Sequence, residues 1–229
     1  MMQRISRDDL EDIELIVFDW DGTIMDSAAE IVGAMQQAIA DLGLPERPPE
    51  AMRELIGLGL DDVLARLFPE LETRHVRELL MAYRARYTAP GPGSTLFAGV
   101  HDTLTVLRES GHTLAVATGK SRRGLDRGLA ETGLGRFFRI SRCADETVPK
   151  PAPDMLEDIL LRTATEPGRA LMVGDTEYDM AMAAAAGVPA VGVACGVHDP
   201  GRLHKAGALA VLPDVAALPC WLLEGRRSG

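Results

Sequence analysis

The sequence has few of the features that mark specialised proteins. Only 4% of its 229 residues are aromatic, and its three cysteines are scattered, with no CxxC pair among them. A disulfide framework and a zinc site of the usual kind are therefore not expected. The longest apolar runs have about ten residues, which is too short for a helix that spans a bilayer. What remains is the composition of an ordinary globular domain.

Positive charge is also scarce. The 24 lysine and arginine residues are outnumbered by 34 acidic residues, for a net charge of −10. A protein of this charge repels nucleic-acid phosphates and anionic headgroups, so we expect no nucleic-acid partner and no membrane partner. Residues 1–14 are polar and charged and contain no apolar signal segment. We expect a cytoplasmic protein that is a monomer or a weak homodimer.

The apolar runs predict an α/β fold. Residues 14–18 (ELIVF) are typical of a buried strand. Later apolar runs alternate with amphipathic segments. These runs lie at 114–117, 137–140, 170–173, 190–193 and 209–212. The predicted helices that alternate with them lie near 101–110, 122–131, 154–163, 177–186 and 214–224. Such an alternation is typical of a Rossmann-like parallel sheet with helices on both faces.

A helical insert separates the first strand from the rest of the predicted sheet. Residues 27–93 have helical spacing and no convincing strand. We therefore predict an all-helical cap over 27–93, inserted into a core made of 1–26 and 94–229. Ser27 and Glu30 have the spacing of a capping box at its first helix. The segment Pro90-Gly-Pro-Gly-Ser94 is typical of a hinge.

Two carboxylates follow the first predicted strand, in the run Asp19-Trp-Asp-Gly-Thr23. In extended chain the side chains of Asp19 and Asp21 point to the same side. Two negative charges this close need a cation or a shared proton, and Mg²⁺ favours such oxygen ligands. A solvated acidic turn or a helix-capping aspartate explains the same pair, so the pair alone leaves both interpretations open.

Three further polar motifs follow later strands: Thr118-Gly119, Lys150 between prolines, and Asp175 with Asp179 four residues on. Each alone has an ordinary explanation, as a turn, an exposed lysine or a helix start. The carboxyl ends of parallel strands, however, lie along one crevice. Acids, a hydroxyl and a cation together suit phosphoryl transfer to a carboxylate, in which a metal and a lysine offset the repulsion between anions.

On these motifs the chain resembles the haloacid dehalogenase superfamily, in particular its phosphoglycolate phosphatase-like and β-phosphoglucomutase-like branch. The resemblance covers nearly the whole chain. It rests on Phe18-Asp-Trp-Asp-Gly-Thr-Ile-Met-Asp-Ser27, Thr118-Gly119, Lys150-Pro-Ala-Pro-Asp154 and Val173-Gly-Asp-Thr-Glu-Tyr-Asp179, with a helical cap in the expected place. It implies a Mg²⁺-dependent phosphatase that hydrolyses a small phosphorylated metabolite through an aspartyl-phosphate intermediate.

The resemblance implies catalytic roles for individual residues. Asp19 would be the nucleophile, and Asp21 would protonate the leaving oxygen and then deprotonate the hydrolytic water. Thr118, with Gly119 beside it, would bind the transferring phosphoryl group. Lys150 would pair with that group and with Asp19.

The same resemblance implies a metal site. Asp175 would hold Mg²⁺ together with Asp19 and the backbone carbonyl of Asp21, and Asp179 would lie just behind these ligands. The presence of Asp21 favours phosphoryl chemistry over dehalogenation, because the dehalogenases of the superfamily lack this second aspartate and need no metal.

Substrate choice is expected to depend on the cap. Arg53 and the stretch Gly57-Leu-Gly59 resemble the region that faces the active site in related caps. Arg53 could there bind a second anionic group of the substrate, although an exposed helical arginine is the simpler interpretation. Two other functions stay open: a phosphomutase of the β-phosphoglucomutase type, and a catalytically silent binding or regulatory protein with the same fold.

Overall fold

A six-stranded parallel sheet forms the centre of the computed structural model, which describes residues 12–88 and 93–226. In chain order its strands are β1 (Leu15–Phe18), β4 (Thr113–Thr118), β5 (Ile140–Cys143), β6 (Ala170–Gly174), β7 (Ala190–Val193) and β8 (Val211–Leu212). Two short strands, β2 (Met25–Asp26) and β3 (Thr95–Leu96), form a separate antiparallel pair. The order across the large sheet is β5-β4-β1-β6-β7-β8, which places β1 between β4 and β6.

The helices divide between the sheet and the insert. Four lie in the insert: α1 (Ala28–Asp41), α2 (Pro49–Arg53), α3 (Leu60–Leu67) and α4 (Thr73–Tyr87). Six follow it: α5 (Val100–Glu109), α6 (Arg122–Thr132), α7 (Asp154–Thr163), α8 (Glu177–Ala185), α9 (Pro200–Lys205) and α10 (Leu218–Arg226). Across the described ranges, every helix is too short or too polar to cross a bilayer.

Both faces of the sheet are covered, as the uninterrupted apolar strands require. Ile16 and Phe18 of β1 pack on one face with α5, α6 and α10. Leu15 and Val17 point to the other face and pack with α7, α8 and α9. The predicted α/β class, with helices on both faces of a parallel sheet, is confirmed.

The insert has its own apolar core. Met35 and Ile39 of α1 pack with Leu64 of α3, Phe68, and Leu79 of α4. The β2–β3 pair lies where the chain leaves the sheet region and returns to it. The domain boundaries at 27 and 93 stay a prediction, and residues 90–92 of the predicted hinge lie outside the described residues.

The predicted strand at 137–140 is wrong in position, because the strand is Ile140–Cys143. Phe137 instead follows a short 3₁₀ turn, and its ring meets the His101 ring edge-on at 5.1 Å. Phe138 packs edge-on against Trp20 at 6.4 Å. An apolar side chain at these two positions therefore covers the core from a loop and does not indicate a strand.

The predicted capping box at Ser27 and Glu30 is also wrong. The Ser27 hydroxyl makes no cap contact and donates to Asp21 Oδ1 at 2.5 Å, since a carboxylate is the stronger acceptor. Glu30 accepts from the backbone N–H of Ser94 at 3.1 Å. A capping box does exist at α8, where Thr176 and Asp179 bond reciprocally.

Two leucines on α7 provide a matched test of the core. Leu156 is fully buried, whereas Leu161 on the same helix is 79% exposed. We expect Leu156→Ala to lower the free energy of unfolding by about 2–5 kcal/mol because it leaves a cavity. Leu161→Ala should change it by less than about 0.5 kcal/mol. Urea titrations of both variants check this, and equal losses would contradict the burial described for α7.

Candidate active site

Four of the predicted catalytic and metal residues meet at the carboxyl ends of three neighbouring strands. Asp19 follows β1, Thr118 ends β4, and Asp175 follows β6. Lys150 reaches the same point from the loop between β5 and α7. The side chains of all four are fully buried. The residues come together because β4 and β6 are the two partners of β1 in register.

Lys150 is the cation at the centre of this group. Its Nζ lies 2.7 Å from Asp19 Oδ1 and 2.6 Å from Asp179 Oδ1. Burial alone disfavours the charged ammonium, but Asp179 and Asp19 outweigh that effect and raise the pKa of Lys150. Lys150 is therefore positively charged at neutral pH and interacts with two carboxylates at once.

Asp175 is fixed by neutral donors. The Thr23 hydroxyl donates to its Oδ1 at 2.9 Å, and the Val197 backbone N–H donates to its Oδ2 at 2.9 Å. Gly22 makes this close approach possible, because a Cβ there would lie 2.2 Å from Asp175 Oδ2. Gly22 also has a φ of +83°, which side-chain-bearing residues rarely adopt.

Three of the four predicted metal residues form one buried acidic group. Carboxylate oxygens of Asp19, Asp175 and Asp179 lie within 4.8 Å of one another. Burial raises the pKa of Asp19 well above its usual range; Lys150 opposes this rise, and Asp179 and Asp175 add to it. Burial, with Asp179 close by, raises the pKa of Asp175 to about 7. One lysine does not balance three carboxylates at this depth.

The donor set fits a hard divalent cation. Asp19 Oδ2 is buried and has no hydrogen-bond partner among the described residues. An ionised carboxylate oxygen in this situation is costly unless a cation neutralises it. Clustered carboxylate oxygens are the ligands that Mg²⁺ prefers. The arrangement is therefore chemically suited to a metal ion. Asp19 Oδ2 and the Asp175 carboxylate are the oxygens best placed to bind it, because Lys150 pairs with Asp19 Oδ1 and Asp179 Oδ1.

Asp21 has a separate environment. Its Oδ1 accepts from the Ser27 hydroxyl and lies 2.9 Å from Lys120 Nζ. Burial disfavours the Lys120 ammonium, but Asp21 and then Tyr87 outweigh it, so the pKa of Lys120 is raised. The carboxylate of Asp21 lies outside the three-acid group, so the structure separates the two aspartates of the first motif.

Lys120 is not among the site residues predicted from the sequence. Its place directly after Thr118-Gly119, at the end of β4, could have marked it as a candidate site residue. Its backbone N–H donates to Thr118 Oγ1 at 3.2 Å, and its Nζ donates to Tyr87 OH at 2.6 Å. Nothing in the local sequence indicates that Asp21 and Tyr87, which are far apart along the chain, meet at this ammonium.

A cavity of 980 Å³ opens beside Asp21, between the sheet and the helical insert. The core contributes Asp21, Gly119 and Lys120 to its wall, and the insert contributes Tyr87 and the stretch 57–59. The two parts are in close contact, because a Cβ on Gly119 would lie 2.5 Å from the Leu58 carbonyl oxygen. The stretch 57–59 therefore faces the cavity.

Arg53 lies to one side of this cavity. Its guanidinium is exposed, and Nη2 is 3.5 Å from the Gly196 carbonyl oxygen. The residues that line the cavity come from other positions. Binding of a second anionic group by Arg53 stays a prediction.

Residues 16–193 match the family of haloacid dehalogenase-like hydrolases, which is most of the chain. The chain belongs to this family. The resemblance seen in the motifs is thereby confirmed.

Relatives of similar length support a phosphatase. "Probable phosphatase IndB" of Dickeya dadantii is 35% identical, covering 84% of this chain and 86% of the relative. A plasmid-borne phosphoglycolate phosphatase of Cupriavidus necator is 31% identical, with 92% and 94% covered. A phosphoglycolate phosphatase of Agrobacterium fabrum is 32% identical over 92% of each chain. This haloacid dehalogenase-like hydrolase is accordingly an enzyme of the phosphatase class.

Solved structures agree on the fold. A hydrolase from Pseudomonas syringae superposes with a TM-score of 0.85 over 92% of this chain and 98% of its own, at 24% identity. At this identity the match shows the shared fold alone. The α/β sheet and the helical insert of this chain are therefore shared with a solved hydrolase.

Gly196 provides a test of the Asp175 position. A Cβ at this residue would lie 2.0 Å from Asp175 Oδ2, so Gly196→Ala must displace the carboxylate. A misplacement of about 1 Å costs on the order of 10²-fold in rate, and we expect a loss of that size in aryl phosphate hydrolysis. Gly168→Ala is the control, since a Cβ there meets no atom within 4 Å. Equal activity of the two variants would show that Asp175 is not needed in this place.

Proposed function

We propose that the chain is a Mg²⁺-dependent phosphatase that hydrolyses a small phosphorylated metabolite through an aspartyl-phosphate on Asp19. One observation carries the proposal. Asp19, fully buried after β1, lies 2.7 Å from the Lys150 ammonium through Oδ1 and keeps Oδ2 without a partner among the described residues. One oxygen is thus oriented by a cation, while the other is left without a partner in the described part of the protein.

The proposed chemistry divides one difficult displacement into two steps. In the first, an Asp19 carboxylate oxygen forms a bond to phosphorus, the ester P–O bond breaks, and Asp21 gives its proton to the leaving oxygen. In the second, water attacks phosphorus, Asp21 takes the proton back, and phosphate leaves. Asp19 returns as a free carboxylate, so atoms and charge balance over the cycle.

The remaining residues would neutralise negative charge and orient the reacting groups. Asp19, Asp175 and the backbone carbonyl of Asp21 would hold Mg²⁺, with Asp179 beside them. When bound, Mg²⁺ lowers the repulsion between the anionic nucleophile and the anionic phosphoryl group. Lys150 favours the ionised form of Asp19 and would also contact an oxygen of a phosphoryl group bound there.

Thr118 and Gly119 are the proposed phosphoryl-binding pair. Thr118 is buried at the end of β4, and its hydroxyl accepts a hydrogen bond from the Lys120 backbone. That contact leaves the hydroxyl proton free to be donated to a phosphoryl oxygen. The neighbouring backbone at Gly119 borders the cavity, where its N–H can face the same group.

The proposed substrate is a phosphoglycolate-like compound or a sugar phosphate. Two of the relatives described above are named phosphoglycolate phosphatases and match over nearly their whole length. The cavity of 980 Å³ beside Asp21 also has room for a sugar phosphate. Phosphoglycolate is therefore the first compound to assay, followed by sugar phosphates ranked by kcat/KM.

The proposal predicts metal-dependent hydrolysis of 4-nitrophenyl phosphate that depends on Asp19. Activity with Mg²⁺ should disappear on addition of EDTA and return when Mg²⁺ is restored. Asp19→Asn should lower kcat by about 10³-fold or more, because the nucleophile is removed. Asp102→Asn is the control, since the Asp102 side chain is 94% exposed on α5.

Acid quenching during turnover adds a direct readout. The wild-type protein should carry alkali-labile phosphate on the peptide that contains Asp19, and Asp19→Asn should carry none. Full activity of Asp19→Asn would disprove the nucleophile assignment. Activity that is indifferent to EDTA would disprove the metal requirement.

A further inference from the structure

We propose that Lys120 is a positioning residue, which orients the Asp21 carboxylate for proton transfer and links that orientation to the helical insert through Tyr87. The proposal rests on the proposed function, because it takes Asp21 as the acid and base of the reaction. It adds a residue outside the nucleophile, the phosphoryl-binding pair and the metal site.

The geometry places one ammonium between two parts of the molecule. Lys120 Nζ is 2.9 Å from Asp21 Oδ1 and 2.6 Å from Tyr87 OH. It also lies 4.6 Å from the centre of the Tyr87 ring. The side chains of Lys120 and Asp21 are only 11% and 9% exposed, so water screens this ion pair weakly.

Both contacts to Asp21 fall on one oxygen. Lys120 Nζ and the Ser27 hydroxyl each approach Oδ1, and no hydrogen bond reaches Oδ2 from the described residues. The carboxyl plane is thereby held, and Oδ2 is left for the proton that goes to the leaving group. Asp21 itself borders the cavity where that group would lie.

Tyr87 brings the insert into this arrangement. It is the last residue of α4, and its ring stacks on Tyr83 at 5.7 Å. Both tyrosines border the cavity. Because Lys120 and Asp21 belong to the sheet side and Tyr87 to the insert, a shift of the insert would remove one of the two partners of the ammonium. The acid is thus oriented fully only when the insert lies over the site.

Residue choice supports a specific need for lysine. The chain has three lysines among its 24 lysine and arginine residues, at positions 120, 150 and 205. Two of these three are at the site, one for each aspartate of the first motif. A compact ammonium fits between a carboxylate and a phenol at these distances, whereas a planar guanidinium spreads its charge over a wider fork.

The test uses leaving groups of different basicity. An alkyl phosphate needs a proton on its leaving oxygen, whereas 2,4-dinitrophenyl phosphate releases a stable anion without one. The variants are Lys120→Met, Lys120→Arg, Tyr87→Phe and Asp21→Asn, with Lys205→Met as the exposed-lysine control on α9. The readouts are kcat and KM for the alkyl phosphate and the pre-steady-state release of dinitrophenolate, which reports the first step alone.

We expect Lys120→Met to lower kcat for the alkyl phosphate by about 10²-fold, within the range that general acid catalysis contributes. Its KM should change little, and its dinitrophenolate burst should be nearly that of the wild type. Asp21→Asn should likewise lose kcat for the alkyl phosphate and keep its dinitrophenolate burst. Lys120→Arg should lose less kcat than Lys120→Met, and Tyr87→Phe should also show a smaller loss of kcat for the alkyl phosphate. Lys205→Met should match the wild type.

An equal loss with both leaving groups, or a loss confined to KM, would overturn the proposal, because Lys120 would then act on folding or on substrate binding. If Lys120→Met does not fold, Lys120→Arg and Tyr87→Phe decide by the same comparison. The proposed function fails separately, through an active Asp19→Asn variant or an Asp21→Asn variant without leaving-group dependence; the second of these results also overturns the role of Lys120.

Discussion

Buried negative charge is the constraint on which the rest of the site depends. Asp19, Asp175 and Asp179 gather oxygens within 4.8 Å in a region closed to solvent, and such a group is stable only if cations and donors compensate it. Lys150 supplies one charge, Thr23 and the Val197 backbone supply donors to Asp175, and the α8 capping box occupies Asp179. The net charge of −10 thus includes a buried local cluster, which the bulk value does not reveal.

Two lysines divide the acids into two environments. Lys150 contacts Asp19 and Asp179, whereas Lys120 contacts Asp21. Carboxyl groups placed in different surroundings take different protonation roles. The first aspartate is deeply buried beside other acids, and the second borders a cavity next to a hydroxyl and an ammonium. The proposed nucleophile and the proposed proton donor, two residues apart, are separated in this way.

Part of this arrangement could be predicted from local sequence and part could not. The strand β1 was predictable because a short apolar run followed by polar residues is a local pattern, and strand ends on one edge bring Asp19, Thr118 and Asp175 together. The strand at 137–140 was misplaced because Phe137 and Phe138 pack against residues distant in sequence, His101 and Trp20, and are not part of the sheet. Likewise, the Ser27 hydroxyl serves Asp21 instead of capping α1.

By itself, the sequence determined the α/β class, the helical insert and the motif residues at the strand ends, because periodicity and strand-end chemistry depend on neighbours along the chain. Only the tertiary structure decided which charges meet. Lys150 reaches Asp19 and Asp179 from a loop, Lys120 joins Asp21 to Tyr87 of the insert, and Gly22 makes room for Asp175. These contacts join residues far apart in the chain, and their strength depends on burial, which exists only once the sheet and the insert have packed.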